Sequence, residues 1–375
     1  MKIIFTIGIF IALFQFVLLL NKKSKSLPDT ILAVWMLVIG IHLTSSYINS
    51  EGFWEIYPHL IGVTVPFPFF YGPLLYLYIF YSFNNNHQLR KQDYLHFLPV
   101  VSTYLYMFRF YFFFSAEEKR LVDRGVIDDF EVFSNVLLVA IIVSGVAYSI
   151  YANRLLSRYK LLVESNFSNT ELINLNWLRS FIWGVGLIFL TVIIVLITRD
   201  LMGLTYPFNP DFIFYSMLVG AILSLGYFGI RHQNIFTDNL VVEIAEKTKS
   251  TYQKSSLKDD LAREKHNLLT DLMVSQKPYL DPNLTLNSLA QYLEIPPHHL
   301  SQIINQFEEQ NFNDFVNKYR VEEFIDRASQ VTHLSFLGIA LDSGFNSKST
   351  FNTVFKKHKG TTPSQYMSSP LRKAS

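Results

Sequence analysis

Apolar and polar positions divide the chain into two unlike stretches. Up to Ile230 they form long apolar runs: Ile3 to Leu20, Ile31 to Ile48, Leu60 to Tyr81, Leu95 to Phe114, Val132 to Tyr151, Phe181 to Ile197 and Phe212 to Ile230. The pattern predicts about seven spanning helices, each near the roughly 20 residues needed to cross a bilayer. Pro66, Pro68 and Pro73 interrupt the third run. A proline inside a span frees a carbonyl that a neighbouring helix must satisfy. From Thr237 to Leu257 the chain turns polar and reads as a linker or stalk. Beyond it the apolar residues take amphipathic spacing. Leu261, Leu268, Leu269, Leu272 and Met273 fall on one face, as a core helix or a dimer seam, so a homodimer stays open. The stripe is too short for a sustained coiled coil, which favours core. Phe312, Phe315, Val316 and Tyr319 follow i, i+3, i+4, i+7 and predict a long helix over Asn313 to about Ser329.

Within this second stretch one pattern occurs twice. Leu286, Leu289, Ala290, Leu293 and Ile295 match Phe336, Ile339, Ala340, Ser343 and Phe345, about fifty residues later. Leu300 and Ile304 then stand for Phe351 and Phe355, with one residue fewer in the turn. Each copy reads as two short helices joined tightly. In the second, Gly344 occupies the turn, where positive φ suits glycine. Ser347 is placed to cap the next helix, Phe351 and Phe355 form its buried stripe, and Gly360 ends it. Lys348, Ser349, Asn352, Thr353 and Lys356 lie on its other side. In the first copy a helix from about Pro297 to Gln306 turns His298, His299, Ser301, Gln302 and Asn305 outward. A helix pair with a polar, basic second helix is how a helix-turn-helix reads. His298 and His299 are adjacent and point apart on a helix, so no shared metal is expected.

Composition sharpens the division. Half the chain is hydrophobic, 16% is aromatic and 17% is charged, too apolar for an ordinary soluble protein. There is no cysteine, which excludes disulfides, thiolate nucleophiles and Cys-ligated metal. The net charge of +2 decides little because the basic residues are local. From Ser343 to Ser375 there is no acid, while Lys348, Lys356, Lys357, Lys359, Arg372 and Lys373 are present. Such a one-signed cluster suits a phosphate backbone. In the first stretch Lys22, Lys23, Lys25, Arg90, Lys91, Arg154, Arg158, Lys160 and Arg231 lie in alternate connections, and the intervening ones are acidic or balanced. Lysine and arginine gather on the cytoplasmic side. The N-terminus is therefore expected outside, and everything after Ile230 in the cytoplasm. His42 is a candidate sensing residue, because a titratable group at membrane depth is rare. His96 and Arg109 lie near a run's ends and can snorkel. No acid pair, HExxH or Ser-His-Asp set stands out, so no catalytic residue and no cofactor are expected.

The run Ala340, Gly344-Phe345, Ser349, Phe351, Phe355-Lys356-Lys357, Gly360, Thr362-Pro363, Tyr366 resembles the signature of the AraC family of transcription activators. Thr350 and Met367 depart from it, and Glu309 stands where related sequences usually carry Gly. The resemblance covers roughly Leu257 to Tyr366. It implies two helix-turn-helix units joined by a helix, with both recognition helices in successive major-groove turns, about 34 Å apart. It implies double-stranded DNA as partner, and RNA polymerase where the regulator activates. Lys356, Lys357 and Lys359 would then meet phosphates, and Gln302, Asn305, Lys348 and Asn352 base edges.

The expected fold is all-α. A bundle of about seven transmembrane helices over 1–231 precedes a linker over 232–256 and an AraC-type domain over 257–375. Its first helix-turn-helix covers about 284–306, the connecting helix about 313–329 and the second unit about 335–358. The expected function is a membrane-bound transcription regulator answering an unidentified signal ligand, with the lipid bilayer and DNA as partners, in the inner (cytoplasmic) membrane. The alternative is a solute-binding or transport bundle with a helical docking tail.

Overall fold

The computed structural model describes residues 2–84, 88–169, 176–207, 211–231, 259–330 and 334–368. The expected linker, 232–256, and Arg372 and Lys373 lie outside them. Among the described residues every regular element is helical, with one isolated β-bridge. The chain forms two compact units. One comprises Met1–Ser157 and Leu175–Asn239, the other Arg158–Asn174 and Leu240–Ser375.

The N-terminal unit holds α1 (Lys2–Leu20), α2 (Leu27–Ser50), α3 (Pro68–Ser82), α4 (Leu98–Tyr106), α5 (Phe108–Phe113), α6 (Ala116–Asp123), the first part of α7 (Glu131–Asn166), α8 (Asn176–Leu196) and α9 (Asp211–Arg231). Among the described residues four stretches are long and apolar enough to cross a membrane: Lys2–Leu20, Leu27–Ser50, Glu131–Asn166 and Trp177–Arg199. Phe212–Gly226 is a shorter apolar helix. Two expected runs are broken. The stretch from Leu60 reaches α-helical form only at Pro68, after single 3-10 turns, because the prolines cannot donate to preceding carbonyls. The stretch from Leu95 splits into a 3-10 segment, α4 and α5, with the break at Met107.

Local chemistry sets these ends. Ser26 caps α2 in a reciprocal box with Asp29, whose carboxylate also takes Lys22 Nζ at 2.6 Å. Asp93 is fully buried yet satisfied by Tyr81 and Arg90, which ties the end of α3 to the segment before α4. α1 packs against α2 and α9. On α7, by contrast, Val132, Val136, Val139 and Val143 fall at i, i+4, i+7, i+11 and are each at least 60% exposed.

The C-terminal unit contains α10 (Asp259–Ser275), α11 (Leu286–Tyr292), α12 (Pro297–Glu308), α13 (Phe312–Gln330), α14 (Phe336–Asp342), α15 (Lys348–Lys359) and α16 (Pro363–Ser368). It has two hydrophobic cores. Leu269, Leu272 and Met273 of α10 join Leu286, Leu289, Leu300 and Ile304 in the first. Leu261 and Leu268 of the same stripe stay exposed. Ile339, Ala340, Phe345, Phe351 and Phe355 form the second. α13 serves both, giving Phe312, Phe315 and Val316 to the first and Val321 and Phe324 to the second. A single rigid helix thereby fixes the spacing of the two helix pairs.

The repeat extends to the backbone. Ile295 N–H bonds Ala290 O at 3.2 Å, and Phe345 N–H bonds Ala340 O at 3.1 Å. Each closes a helix through a residue at positive φ, Glu294 at 52° and Gly344 at 91°. Glu309, at φ 54°, closes α12 the same way without being glycine. A side chain there costs about 1 kcal/mol or more of backbone strain. Glu309→Gly is accordingly expected to slow hydrogen exchange of the α12 amides about fivefold, a stabilisation near 1 kcal/mol. Unchanged exchange rates would show that the position carries no strain.

Candidate nucleic-acid interface

The second helix of each pair is aimed by its buried stripe. In α12, Leu300, Ile303 and Ile304 face the core, so His298, Gln302 and Asn305, at i, i+4 and i+7, share the opposite face with Ser301. Gln302 and Asn305 are exposed; His298, His299 and Ser301 are half-buried. The histidines do not point apart as their adjacency suggested: the two rings sit 4.2 Å apart, centroid to centroid. Burial and then His298 hold His299 below the usual imidazole value, so at neutral pH it carries no charge to a phosphate.

In α15, Phe351 and Phe355 are buried and the far face is open. Ser347 caps the helix by accepting from Thr350 N–H at 3.2 Å. Lys348, Ser349, Asn352, Thr353, Lys356 and Lys357 are exposed, and Lys359 is half-buried. Lysine and histidine crowd the last turn, where the helix dipole favours cations. The lysines are not equivalent. Lys357 Nζ lies 2.5 Å from Asp314 Oδ1, and Lys359 Nζ 2.5 Å from Glu322 Oε1, both on the connecting helix α13. Lys348 and Lys356 make no ion pair among the described residues. Asp314 and Glu322 carried no signal in the sequence, since only the fold brings them within reach of residues 37 to 43 positions away.

The frame behind this face is braced by charge. Burial pushes the Glu323 carboxyl up, but hydrogen bonds from Lys277, Arg327 and Tyr279 outweigh it and hold it below the usual value. Glu308 is held down in the same manner by His266 and Lys318.

The sensing candidate lies elsewhere. His42, on α2, is buried with its Nδ1 in a hydrogen bond to Tyr71 Oη of α3. Both line a cavity of about 370 Å³ with Trp35, Phe181 and Phe189, a size within the range of small-molecule sites. His96 Nδ1 meets Tyr148 Oη at 2.7 Å, and the Arg109 guanidinium lies over Phe114 at 5.5 Å. Among the described residues no group of three or more His, Asp or Glu side chains is placed to hold a metal.

Known proteins resemble the C-terminal unit. Residues 289–369 match the family described as a helix-turn-helix domain. The chain is 30% identical over 102 residues to PqrA, a probable transcription factor of Proteus vulgaris, an alignment covering 27% of this chain and 83% of that protein. It is 34% identical over 91 residues to YpdC, an uncharacterized HTH-type transcriptional regulator of Escherichia coli strain K12, covering 24% of this chain and 31% of the relative. A solved chain of unknown function from Listeria innocua is 28% identical over 27% of this chain and 90% of its own, with a TM-score of 0.24, which adds nothing on the fold. With two helix-turn-helix pairs on one connecting helix, and most of a transcription factor's length matched, this chain belongs through its C-terminal unit to the AraC-type helix-turn-helix family of transcription regulators.

Proposed function

We propose that the protein is a membrane-bound, sequence-specific transcription regulator, an activator, whose N-terminal unit receives a signal from outside or from within the bilayer. The observation that carries the DNA half is the spacing of two like helices by α13. Its 19 residues span about 28 Å, close to the roughly 34 Å repeat of B-DNA. α12 and α15 would enter successive major-groove turns. Gln302, Asn305, Lys348 and Asn352 would read base edges, and Lys356, Lys357 and Lys359 would meet phosphates, with His298, His299, Ser301, Ser349 and Thr353 beside them.

The membrane half is supported by the four long apolar helices and the exposed valine stripe of α7. α3, the α4–α5 pair and α9 complete seven crossings in this reading. The basic connections then lie inside and the C-terminal unit in the cytoplasm, at the inner membrane. The cavity beside His42 is the place for a small, largely apolar signal molecule. RNA polymerase is the partner of an activator, and a homodimer would double the DNA half-sites.

Purified full-length protein in bilayer nanodiscs is expected to bind duplex DNA with a log–log salt slope of about −2.7 if Lys356, Lys357 and Lys359 meet phosphates. A tag after Ser375 is expected to be reachable only from the cytoplasm. Absence of binding to any duplex would favour the solute-binding alternative, and a tag reachable from outside would end the membrane reading.

A further inference from the structure

α13 carries a polar stripe that neither core needs. Asn313, Asn317 and Arg320 fall at i, i+4 and i+7, and Asn317 and Arg320 are each 1% exposed. A buried guanidinium is costly unless acceptors surround it. Arg320 makes no ion pair at contact distance among the described residues, although the nearby Asp281 charge favours its charged form. Its Nε donates to Tyr279 O at 2.8 Å, and its Nη2 to Asp281 O at 2.8 Å and Ser168 Oγ at 3.0 Å. Its Nη1 donates to Ser168 O at 3.3 Å and Asn317 Oδ1 at 3.4 Å.

Two of those oxygens come from a residue 152 positions upstream. Ser168, 1% exposed, follows the end of α7 and belongs with its neighbours to the C-terminal unit. Its N–H and its hydroxyl both donate to Leu284 O, at 3.2 and 2.6 Å. Phe167 pairs with Thr285 in an antiparallel bridge. Asn313 Nδ2 donates to Phe167 O at 3.1 Å and to Ser168 O at 2.8 Å, and Asn317 orients Asn313 by donating to its Oδ1 at 3.1 Å. Both carbonyls, the serine N–H and the serine hydroxyl of this short segment are thus taken up. These bonds fasten the chain at the end of α7, where Phe167 N–H still bonds Val163 O, to Leu284 and Asn313.

We propose that Leu284–Thr285, Asn313 and Arg320 form a peptide-binding seat on the DNA-reading unit, that its occupant is the Phe167–Ser168 segment of this same chain, and that the occupant sets the placement of the two helix-turn-helix pairs. The second part follows from what else Arg320 touches. Tyr279 and Asp281 lead into the first pair. Gly344, the turn of the second, lies so close that a β-carbon there would come 2.9 Å from Arg320 Nε. Removing Ser168 takes acceptors from a buried cation that abuts both pairs. Phe167 and Ser168 directly follow the last residue of α7, Asn166. The coupling rests on the DNA-binding reading; the seat does not.

The chain has no cysteine, so a disulfide reports the seat without background. The Ser168 N–H to Leu284 O bond flanks the Phe167–Thr285 pair, marking the closely spaced type with Cα atoms about 4.5 Å apart, inside disulfide range. In full-length protein in nanodiscs, Phe167→Cys with Thr285→Cys is expected to crosslink under mild oxidation, seen as a shift on a non-reducing gel. Ser168→Ala and, separately, Asn313→Ala are expected to weaken duplex binding about three- to tenfold. The oxidised double-cysteine protein is expected to bind at least as tightly as its reduced form. Failure to crosslink overturns the seat. Crosslinking with unchanged affinity in both alanine variants overturns the coupling. A chain that crosslinks but binds no duplex removes the DNA-binding reading and leaves the seat standing.

Discussion

Gly344→Ala is expected to destabilise the second helix-turn-helix by about 3 kcal/mol or more, enough to abolish duplex binding at 37 °C. The residue sits at φ 91°, where a β-carbon costs about 1–2 kcal/mol in backbone strain alone. The space is also taken. A β-carbon would fall 2.3 Å from Tyr279 O, 2.9 Å from Arg320 Nε and 3.2 Å from Leu280 Cα. Two of those atoms are backbone and cannot swing aside, so the turn must lift off Tyr279 and Leu280, at a further cost of about 1–3 kcal/mol. Gly360→Ala is the internal control. Gly360 has φ 74° but no neighbour within 4 Å of the added carbon, so only the strain applies, about 1 kcal/mol. Hydrogen exchange across α14 and α15 measures both. Equal costs at the two glycines would mean that the turn is not seated on Tyr279 and Arg320.

That contrast also shows where sequence is informative. Gly344 and Gly360 were both recognisable as turn residues, because positive φ is a local demand. The duplicated helix pairs were legible for the same reason: their apolar spacing repeats, and the cap Ser347 precedes the helix it starts, whereas the caps Thr285 and Ser335 emerged only with the structure. The long α13 was legible from its i, i+3, i+4, i+7 residues. What was not legible depends on contacts between distant positions. Nothing near Ser168 announces that its hydroxyl completes the shell of Arg320. The pairing of Lys357 with Asp314 and Lys359 with Glu322 is equally invisible until α15 is laid beside α13. In the N-terminal unit, hydropathy alone overstated helix continuity. Leu60 to Tyr81 and Leu95 to Phe114 are apolar enough for unbroken helices, but proline placement and the break at Met107 divide them. Asn313, Asn317 and Arg320 were a missed signal, since a polar stripe at helical spacing beside an apolar one asks what it binds.

The lysines of α15 are expected to separate by function in one set of titrations. Lys356→Ala should weaken binding to every duplex about tenfold at physiological salt and flatten the log–log salt slope by about 1, and Lys348→Ala should add a loss specific to the preferred duplex. Both side chains are exposed on a helix whose outward face carries no acid, and neither has an ion pair to give up among the described residues. Lys357→Ala with Lys359→Ala should cost less per lysine. Those lysines are shared with Asp314 and Glu322, and a phosphate near them also meets those carboxylates. Surface pairs of this kind are worth about 0–1 kcal/mol, so they can exchange partners, but part of the gain is lost in doing so. Asp314→Asn with Glu322→Gln should then tighten binding several-fold and steepen the slope, because it returns two unshared cations to the face. Asn352→Ala and Gln302→Ala belong to a different class. They remove no charge, so the slope should hold while discrimination between duplexes falls by about 1–3 kcal/mol. If Lys357 and Lys359 instead proved the more damaging pair, DNA would have to approach along the α13 side of α15, and Asn352 would no longer point at a base.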